Sequence, residues 1–404
     1  MLDTKLLAYD YYMGFDVGKR SHHVVVIRGA DQATVLDEQV AQDEASIAAA
    51  VSGFAAMGRV LASVDQSGSI GRLVTATAAA AGADVGFLTP SDFHHFAEGY
   101  SEVKTDSVDA FEICDLSMRM THLLYAVGEA SSALEELSML CTRRSDLVAE
   151  NTREKNRVRA LLVSVHPAFE RVFGREEMDM APYLGILARY GGPLGIGRAG
   201  RKRVLAFVAG LPYYRAKAGP IVERVFAAAA EQKAVLAGAQ AAERIIRSAA
   251  KGIVGRSGEV AALDREIAAI YGSFSESAIL SSMPGIGGVL GPVILSEIGS
   301  IGRFEDAGHL AAYGGVAPSR RQSGESRGSA KKKRGCNRRL KGAFCYSAWI
   351  AVGCDPAAAA YYRKKRDEGK NHDQALLALA RKRVSIIYAM LTTGSPYDPA
   401  MQGH

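Results

Sequence analysis

Over the first 90 residues, short apolar runs bounded by turn residues alternate with stretches whose apolar positions recur every three or four residues. The runs at 11–17, 22–28 (with a Val-Val-Val-Ile centre) and 34–40 predict three strands in a meander. A helix is predicted over 43–57, a buried strand over 59–64 ending at Asp65, a second helix over 69–81, and a short strand over 84–88 closed by Thr89-Pro90. Three strands, then helix, strand, helix and strand, is the element order of a ribonuclease H-like α/β fold.

From about residue 126 the period becomes helical and stays so. Leu134, Leu137, Leu140, Leu147, Val148, Val158, Leu161 and Leu162 repeat at helical spacing among Arg143, Arg144, Arg153, Lys155, Arg157 and Arg159, up to His166-Pro167. This predicts a coiled-coil-like arm whose basic face is either solvated or turned to nucleic acid. The stretch 174–219, broken by Gly191-Gly192-Pro193 and Gly195, reads as a flexible insertion tip carrying Arg198, Arg201, Lys202 and Arg203. Helical periodicity returns over 222–270, where it would pair antiparallel with the first arm; such hairpins commonly mediate dimerisation. The expected organisation is an α/β domain at 1–125, a helical coiled-coil arm with an insertion at 126–273, and a mainly helical domain at 274–404.

Composition places the chain among globular proteins, with 48% hydrophobic and 23% charged residues over 404 positions, long enough for two or three domains. Charge changes the picture more. Residues 1–125 carry a net −9 and the remainder +15, an acidic front beside a basic back that suggests a carboxylate site working next to a polyanion. The five cysteines show no C-x-x-C spacing, so zinc fingers and disulfide frameworks are not supported and reduced thiols are expected. With Asp3, Lys5 and Asp10 the first ten residues lack an apolar signal region, and no apolar run is long enough to span a bilayer; a cytoplasmic protein without membrane contact is expected.

Four acids stand out against this frame. Asp16 ends the first predicted strand and Asp65 the fourth, while Asp106 and Asp109, three apart in K-T-D-S-V-D-A, share one helix face. Taken singly each is as well explained as a solvated strand end or a helix-start acid favoured by the dipole. Together, at neighbouring strand ends, they could converge, and clustered carboxylates favour hard divalent cations such as Mg2+ or Mn2+. Ions held so can activate a nucleophile and stabilise a leaving oxygen in phosphoryl chemistry. The neighbouring pairs His22-His23 and His94-His95 are poor ligand pairs, because adjacent residues point apart on a strand.

The basic half has two features. Pro284, Gly285 and Gly287 lie in a glycine-rich turn, 284–291, opening a helix. It fails the dinucleotide fingerprint, since Leu290 stands where the third glycine belongs and no strand precedes it, and fits helix-hairpin-helix contact with a nucleic-acid backbone better. Further on, Arg320, Arg321, Arg327, Lys331, Lys332, Lys333, Arg334, Arg338, Arg339 and Lys341 surround the triplet Gln322-Ser323-Gly324. That is a phosphodiester environment with a hydroxyl in the middle. Ser323 has no His or Asp beside it to act as a base, so one would have to come from elsewhere.

Five stretches carry a family resemblance: F-D-V-G-K at 15–19, D-Q-S-G at 65–68, K-T-D-S-V-D-A at 104–110, P-G-I-G at 284–287, and F-x(8)-Y-G-G-V-A-P-S-x-x-Q-S-G at 304–324. In combination, and over nearly the whole chain, this resembles the DEDD transposases of the "one-ten" insertion-sequence family, relatives of the pilin-gene invertase and described as bridge-RNA-guided serine recombinases. The resemblance implies a RuvC-like N-terminal domain, a coiled-coil arm and a C-terminal transposase domain. It implies that Asp16, Asp65, Asp106 and Asp109 bind magnesium and that Ser323 joins covalently to DNA. Its partners would be double-stranded DNA at the element ends and target, a structured guide RNA, and further copies of the chain in a dimer or tetramer. One departure is that the second acid is often Glu in the family, whereas here it is Asp65.

The expected function is therefore a DNA transposase or recombinase. The alternative is a RuvC-like structure-selective endonuclease, a junction resolvase acting by metal-dependent hydrolysis with Ser323 a bystander. Asp16-Val17-Gly18 also suits the phosphate turn of sugar-kinase-like ATPases, but a second phosphate loop is missing and the basic C-terminus goes unexplained. A non-catalytic helix-hairpin-helix binding protein leaves the four acids unexplained.

Overall fold

A computed structural model describes residues 9–65, 70–88, 105–121, 124–126, 132–317 and 336–399. The chain divides into two compact units, one formed by residues 1–135 and 278–404 and the other by 136–277.

The first unit begins with a six-stranded mixed sheet in the order β3-β2-β1-β4-β5-β6. Strands β1 (Tyr11–Asp16), β2 (Ser21–Arg28) and β3 (Thr34–Ala41) form the antiparallel meander; β4 (Val60–Val64) and β5 (Asp84–Phe87) add in parallel, and β6 (Tyr125–Ala126) closes the edge. Helices α1 (Glu44–Ala55), α2 (Gly71–Ala80) and α3 (Asp106–Arg119) complete the α/β part. Each predicted element from residue 11 to 88 forms within one or two residues of its expected bounds. Asp43 caps α1 by accepting from the Ser46 amide at 2.8 Å.

Strand alternation sends the two sets of side chains to separate cores. Met13, Phe15, Val24, Val26, Ala62 and Val64 pack with Ile47, Val51, Val74 and Ala78 of α1 and α2. Tyr12, Val25, Ile27 and Leu61 pack with Ile113, Cys114 and Leu116 of α3. By the same alternation Asp16, His23 and Asp65 belong to the face that α3 covers. Their position is thus fixed by the hydrophobic residues between them.

The second unit is helical. The long helices α4 (Ser132–Val165) and α10 (Ala239–Gly272) run antiparallel, as the bonds Arg143–Glu259, Asn151–Ser257 and Arg144–Asp264 require. Between them the chain forms α5 (Pro167–Glu170), α6 (Ala181–Tyr190), α7 (Pro193–Ala199), α8 (Arg201–Ala209) and α9 (Ala218–Ala230). The expectation of a flexible tip over 174–219 is corrected here. Phe169, Phe173, Tyr183, Ile186, Leu187, Ile196, Val204 and Val208 build one buried core with Val158, Leu162, Ile246 and Ile253 of the long helices. The glycines and proline that broke the periodicity stand at helix ends: Gly191 (φ +89°) caps α6, Pro193 starts α7, and Gly200 (φ +79°) precedes α8.

The basic face of α4 is largely matched within this unit. Arg143 and Arg144 pair with Glu259 and Asp264 of α10, Lys155 with Asp179, Arg157 with Glu154 and Arg159 with Glu170. Most of its cations thus have an acidic partner, while Arg143 and Arg157 keep more than half of their side-chain surface open to solvent.

The C-terminal part of the first unit contains α11 (Ser275–Ser281), α12 (Leu290–Ile298), α13 (Ala307–Tyr313), α14 (Arg338–Cys354), α15 (Pro356–Asp367) and α16 (His372–Thr393). Helices α12, α15 and α16 pack on α14, and α13 packs on α16. Among the described residues, no helix is long and apolar enough to cross a membrane.

Candidate active site

The site begins with a glycine. Helix α3 lies so close to β1 that a Cβ on Gly14 would run into the Ala110 carbonyl and stand 2.5 Å from the Cys114 amide nitrogen and 2.8 Å from the Cys114 Cβ. Only the missing side chain permits this approach. Cys114, fully buried, then donates its thiol hydrogen to the Tyr12 carbonyl at 2.9 Å, and burial pushes its pKa up to about 12, so it acts as an inert clasp rather than a nucleophile.

The clasp carries the first turn of α3 to the end of β1. Thr105 caps that turn by accepting from the Val108 amide at 3.3 Å, and the turn presents Asp106 and Asp109. In the parallel register Phe15 pairs with Val64, so the next residues on the two strands, Asp16 and Asp65, leave the sheet side by side. Asp16's carboxyl is pushed up to about 6, by burial first and then by the charges of Asp65, Asp109 and Asp106, with His23 working the other way. Asp65, Asp106 and Asp109 thus all act on Asp16, from β4 and α3.

The donor set suits a hard divalent ion. Four carboxylates supply oxygen ligands only, and at Asp16 burial and like charge together favour an added positive charge. Among the described residues no three His, Cys, Asp or Glu side chains stand close enough together to hold an ion as they are. Mutual repulsion keeps carboxylates apart, and a cation offsets that repulsion.

A flanking network escaped the sequence reading. His23, directly opposite Asp16 in the β1–β2 register, bonds through Nε2 to Asp37 Oδ1 at 2.5 Å. Ser107, between the two acids of α3, donates to the same carboxylate at 3.0 Å. These bonds, that from His23 foremost, hold the Asp37 carboxyl below the usual carboxylate range. The network ties β2 and β3 to the acid-bearing turn; strand register is the signal that would have found it, since His23 pairs with Gln39 and Asp37 with Val25, which makes the two diagonal neighbours on one face of adjacent strands. His22 points the other way, fully buried, and burial lowers its pKa. His94 and His95 lie outside the described residues.

In the C-terminal part the turn before α12 is pinned inward. Arg383, 2% exposed, donates through Nη2 to the Pro284 carbonyl at 2.6 Å and to Ser347 Oγ at 2.7 Å. Gly285 adopts φ +85° with its Cα against α14, where a Cβ would meet the Ser347 carbonyl at 2.7 Å. Pro284 and Gly285 therefore serve packing first, while Gly287 faces open space. Asn337 caps α14, accepting from the Leu340 amide at 3.0 Å and donating to Glu297 at 2.6 Å; Arg339 pairs with Glu297 at 3.1 Å and Arg338 is exposed. Ser323, Arg320, Arg321, Arg327, Lys331, Lys332, Lys333 and Arg334 lie outside the described residues.

Comparison with known proteins agrees with this layout. Residues 13–167 match the IS110 DEDD transposase model, and residues 277–363 match the model described as transposase of the IS116/IS110/IS902 family. A 43.6 kDa protein of insertion element IS110 from Streptomyces coelicolor is 37% identical over 99% of this chain and 98% of its own length. A 42 kDa protein of insertion element IS900 from Mycobacterium paratuberculosis is 34% identical over 98% of both. A pilin gene-inverting protein of Moraxella bovis is 32% identical over 30% of this chain and 38% of its own. The DEDD class implies a ribonuclease H-like N-terminal domain, a divalent metal ion and action on DNA. With both halves matched and relatives aligned end to end, the chain belongs to the IS110 family of insertion-sequence transposases and is a DNA transposase or recombinase.

Proposed function

We propose that this transposase cleaves and rejoins DNA with two chemical groups, a metal site of Asp16, Asp65, Asp106 and Asp109 and a nucleophilic Ser323. The observation that carries the reading is that the charges of three other carboxylates, Asp65, Asp109 and Asp106, reach Asp16 and raise its proton affinity. A bound Mg2+ or Mn2+ would supply Lewis-acid stabilisation of the phosphoryl oxygens and activation of the attacking hydroxyl. The residues hold and orient: β1 and β4 fix Asp16 and Asp65, and the glycine-tight seat of α3 fixes Asp106 and Asp109.

Ser323 Oγ attacks a DNA phosphorus, a phosphoserine ester forms, and the bond to the leaving deoxyribose oxygen breaks with that oxygen taking a proton. The reverse attack by a deoxyribose hydroxyl restores the strand and frees the serine. The covalent ester conserves the bond energy that hydrolysis would lose, so the strand can be rejoined without ATP. The relatives named as a transposase and as gene-inverting proteins support rejoining over simple hydrolysis. Nucleic acid would be held by Gly287, with Pro284 and Gly285 shaping its turn, and by Arg320, Arg321, Arg327, Lys331, Lys332, Lys333, Arg334, Arg338 and Arg339. We further propose the division of labour expected from sequence: a RuvC-like domain at 1–125, a coiled-coil arm at 126–273 joining copies into a dimer or tetramer, a serine domain at 274–404, and guidance by a structured RNA in the cytoplasm.

The test is to incubate the protein with element-end DNA, Mg2+ and RNA transcribed from the element's flanks, and then denature. A covalent protein–DNA adduct should form and should be absent from Ser323→Ala. An undiminished adduct from Ser323→Ala overturns the nucleophile, and active cleavage with no adduct at all overturns the covalent route.

A further inference from the structure

Helix α14 carries two aromatic rings where water reaches them. Tyr346 and Trp349 are 54% and 52% exposed, and their rings stack with centroids 5.3 Å apart and planes 28° from parallel. The inner face of the same helix is fully used: Leu340, Ala343, Phe344, Ala348 and Ala351 are buried, and Ser347 receives Arg383. The rings belong to an outward stripe of Arg338, Gly342, Tyr346, Trp349 and Gly353, spaced four, four, three and four residues apart. Gly342 and Gly353 have open space where a side chain would stand, so the aromatic pair sits between flat shoulders that a planar group can approach. Rings of this size normally gain from burial, and an exposed stacked pair marks a contact surface.

Charge selects the occupant. Helix α14 carries three cations, Arg338, Arg339 and Lys341, and no Asp or Glu from Arg338 to Cys354, and the stripe begins with one of them, Arg338. A second copy docking by twofold symmetry would bring the same cationic surface against itself, which like charges oppose. A polyanion is attracted, and the one polyanion with planar apolar faces is nucleic acid. Duplex bases hide those faces in their own stack, whereas an unpaired base exposes them.

We infer that Tyr346 and Trp349 form a stacking platform for an unpaired nucleobase of a single strand, DNA or RNA, whose phosphates pass the Arg338 end of α14. The inference rests on reading the C-terminal part as nucleic-acid-binding and adds what that part recognises. Trp349 is the chain's only tryptophan, so its emission reports the platform directly. The full-length protein is titrated with a twelve-residue oligothymidylate, an oligouridylate of equal length and a blunt duplex, reading Trp emission and the anisotropy of labelled strands in parallel. Single strands should quench Trp349 and the duplex should not; quenching by the DNA strand, the RNA strand or both identifies the source. Trp349→Ala should bind single strands on the order of 10-fold more weakly, with Trp349→Phe retaining most of the affinity and Tyr346→Ala weakened in the emission assay. Single strands that bind by anisotropy while Trp349 emission and the affinity of Trp349→Ala stay unchanged overturn the platform and leave nucleic-acid binding standing. Binding of no strand and no duplex overturns both. Emission that changes on diluting the protein alone assigns the face to a second copy and overturns the platform as well.

Discussion

Two charged regions of this protein are built on opposite principles. On the arm, cations and anions are matched pair by pair: Arg143 with Glu259, Arg144 with Asp264, Lys155 with Asp179, Arg159 with Glu170. At the end of the sheet, the like charges of Asp65, Asp109 and Asp106 bear on Asp16, with His23 working the other way. Matched surface charges contribute little each, about 0–1 kcal/mol, and chiefly set the register of two helices. Gathered like charges cost stability, and an added positive charge offsets that cost. The difference separates charge that builds from charge that acts.

The largest effect should come from removing one gathered acid. Asp106→Asn should abolish metal-dependent strand exchange while leaving nucleic-acid binding within a few-fold, measured by recombination and by gel shift, because it removes charge but little volume. Arg144→Ala, on the matched side, should keep recombination close to the parent level. Equal losses in the two variants would break the comparison.

Next in size is the seat of the site. Gly14→Ala puts a Cβ into the backbone of α3 and should destabilise the protein by about 1–3 kcal/mol, read as a lowered Tm, with recombination falling further than stability alone predicts. A variant with the parent Tm would show that α3 does not depend on this contact.

A smaller effect concerns pH. In the metal-free protein Asp16 titrates near 6 when folded and near 3.8 when unfolded, so between these values the native state holds more protons than the unfolded one. Stability from this group is therefore present at low pH and falls as pH rises through 4 to 6. Asp16→Asn should flatten that part of the Tm profile and raise the metal-free Tm at pH 7. A lowered Tm at pH 7 would mean that Asp16 is held by favourable partners rather than crowded by like charge.

Much of this contrast was legible in the chain and some of it could not be. The strands were readable because apolar runs and turn residues punctuate 11–88, and the acids because they end strands or share a helix turn. Gly14 was not, because the demand for a bare Cα comes from Ala110 and Cys114, nearly a hundred residues away. The partners of Arg143 and Arg144 are likewise more than a hundred residues distant, so the same basic stripe suggested solvent or nucleic acid until α10 was placed beside it. Over 174–219 the glycines and prolines at Gly191, Pro193 and Gly200 divide short helices, and short helices between breakers carry too few turns to reveal a period.

The smallest effect sharpens the matched side. Changing Lys331, Lys332 and Lys333 to Ala should lower the slope of log K against log salt for duplex DNA by about 0.9 per lost phosphate contact, whereas changing Arg143 and Arg144 to Ala should leave the slope unaltered. A changed slope for the arm variant would return those arginines to the nucleic-acid surface.

The central claim, that the four acids act as one cation site, is tested most directly by metal binding without DNA. Mn2+ is titrated into the full-length protein and free Mn2+ is followed by electron paramagnetic resonance, for the parent and for Asp16→Asn, Asp65→Asn, Asp106→Asn and Asp109→Asn. The account predicts saturable binding by the parent and, in each variant, a loss at least as large as the roughly 10- to 100-fold typical of removing a supporting contact. Mn2+ bound as tightly by a variant lacking both Asp16 and Asp106 as by the parent would contradict it.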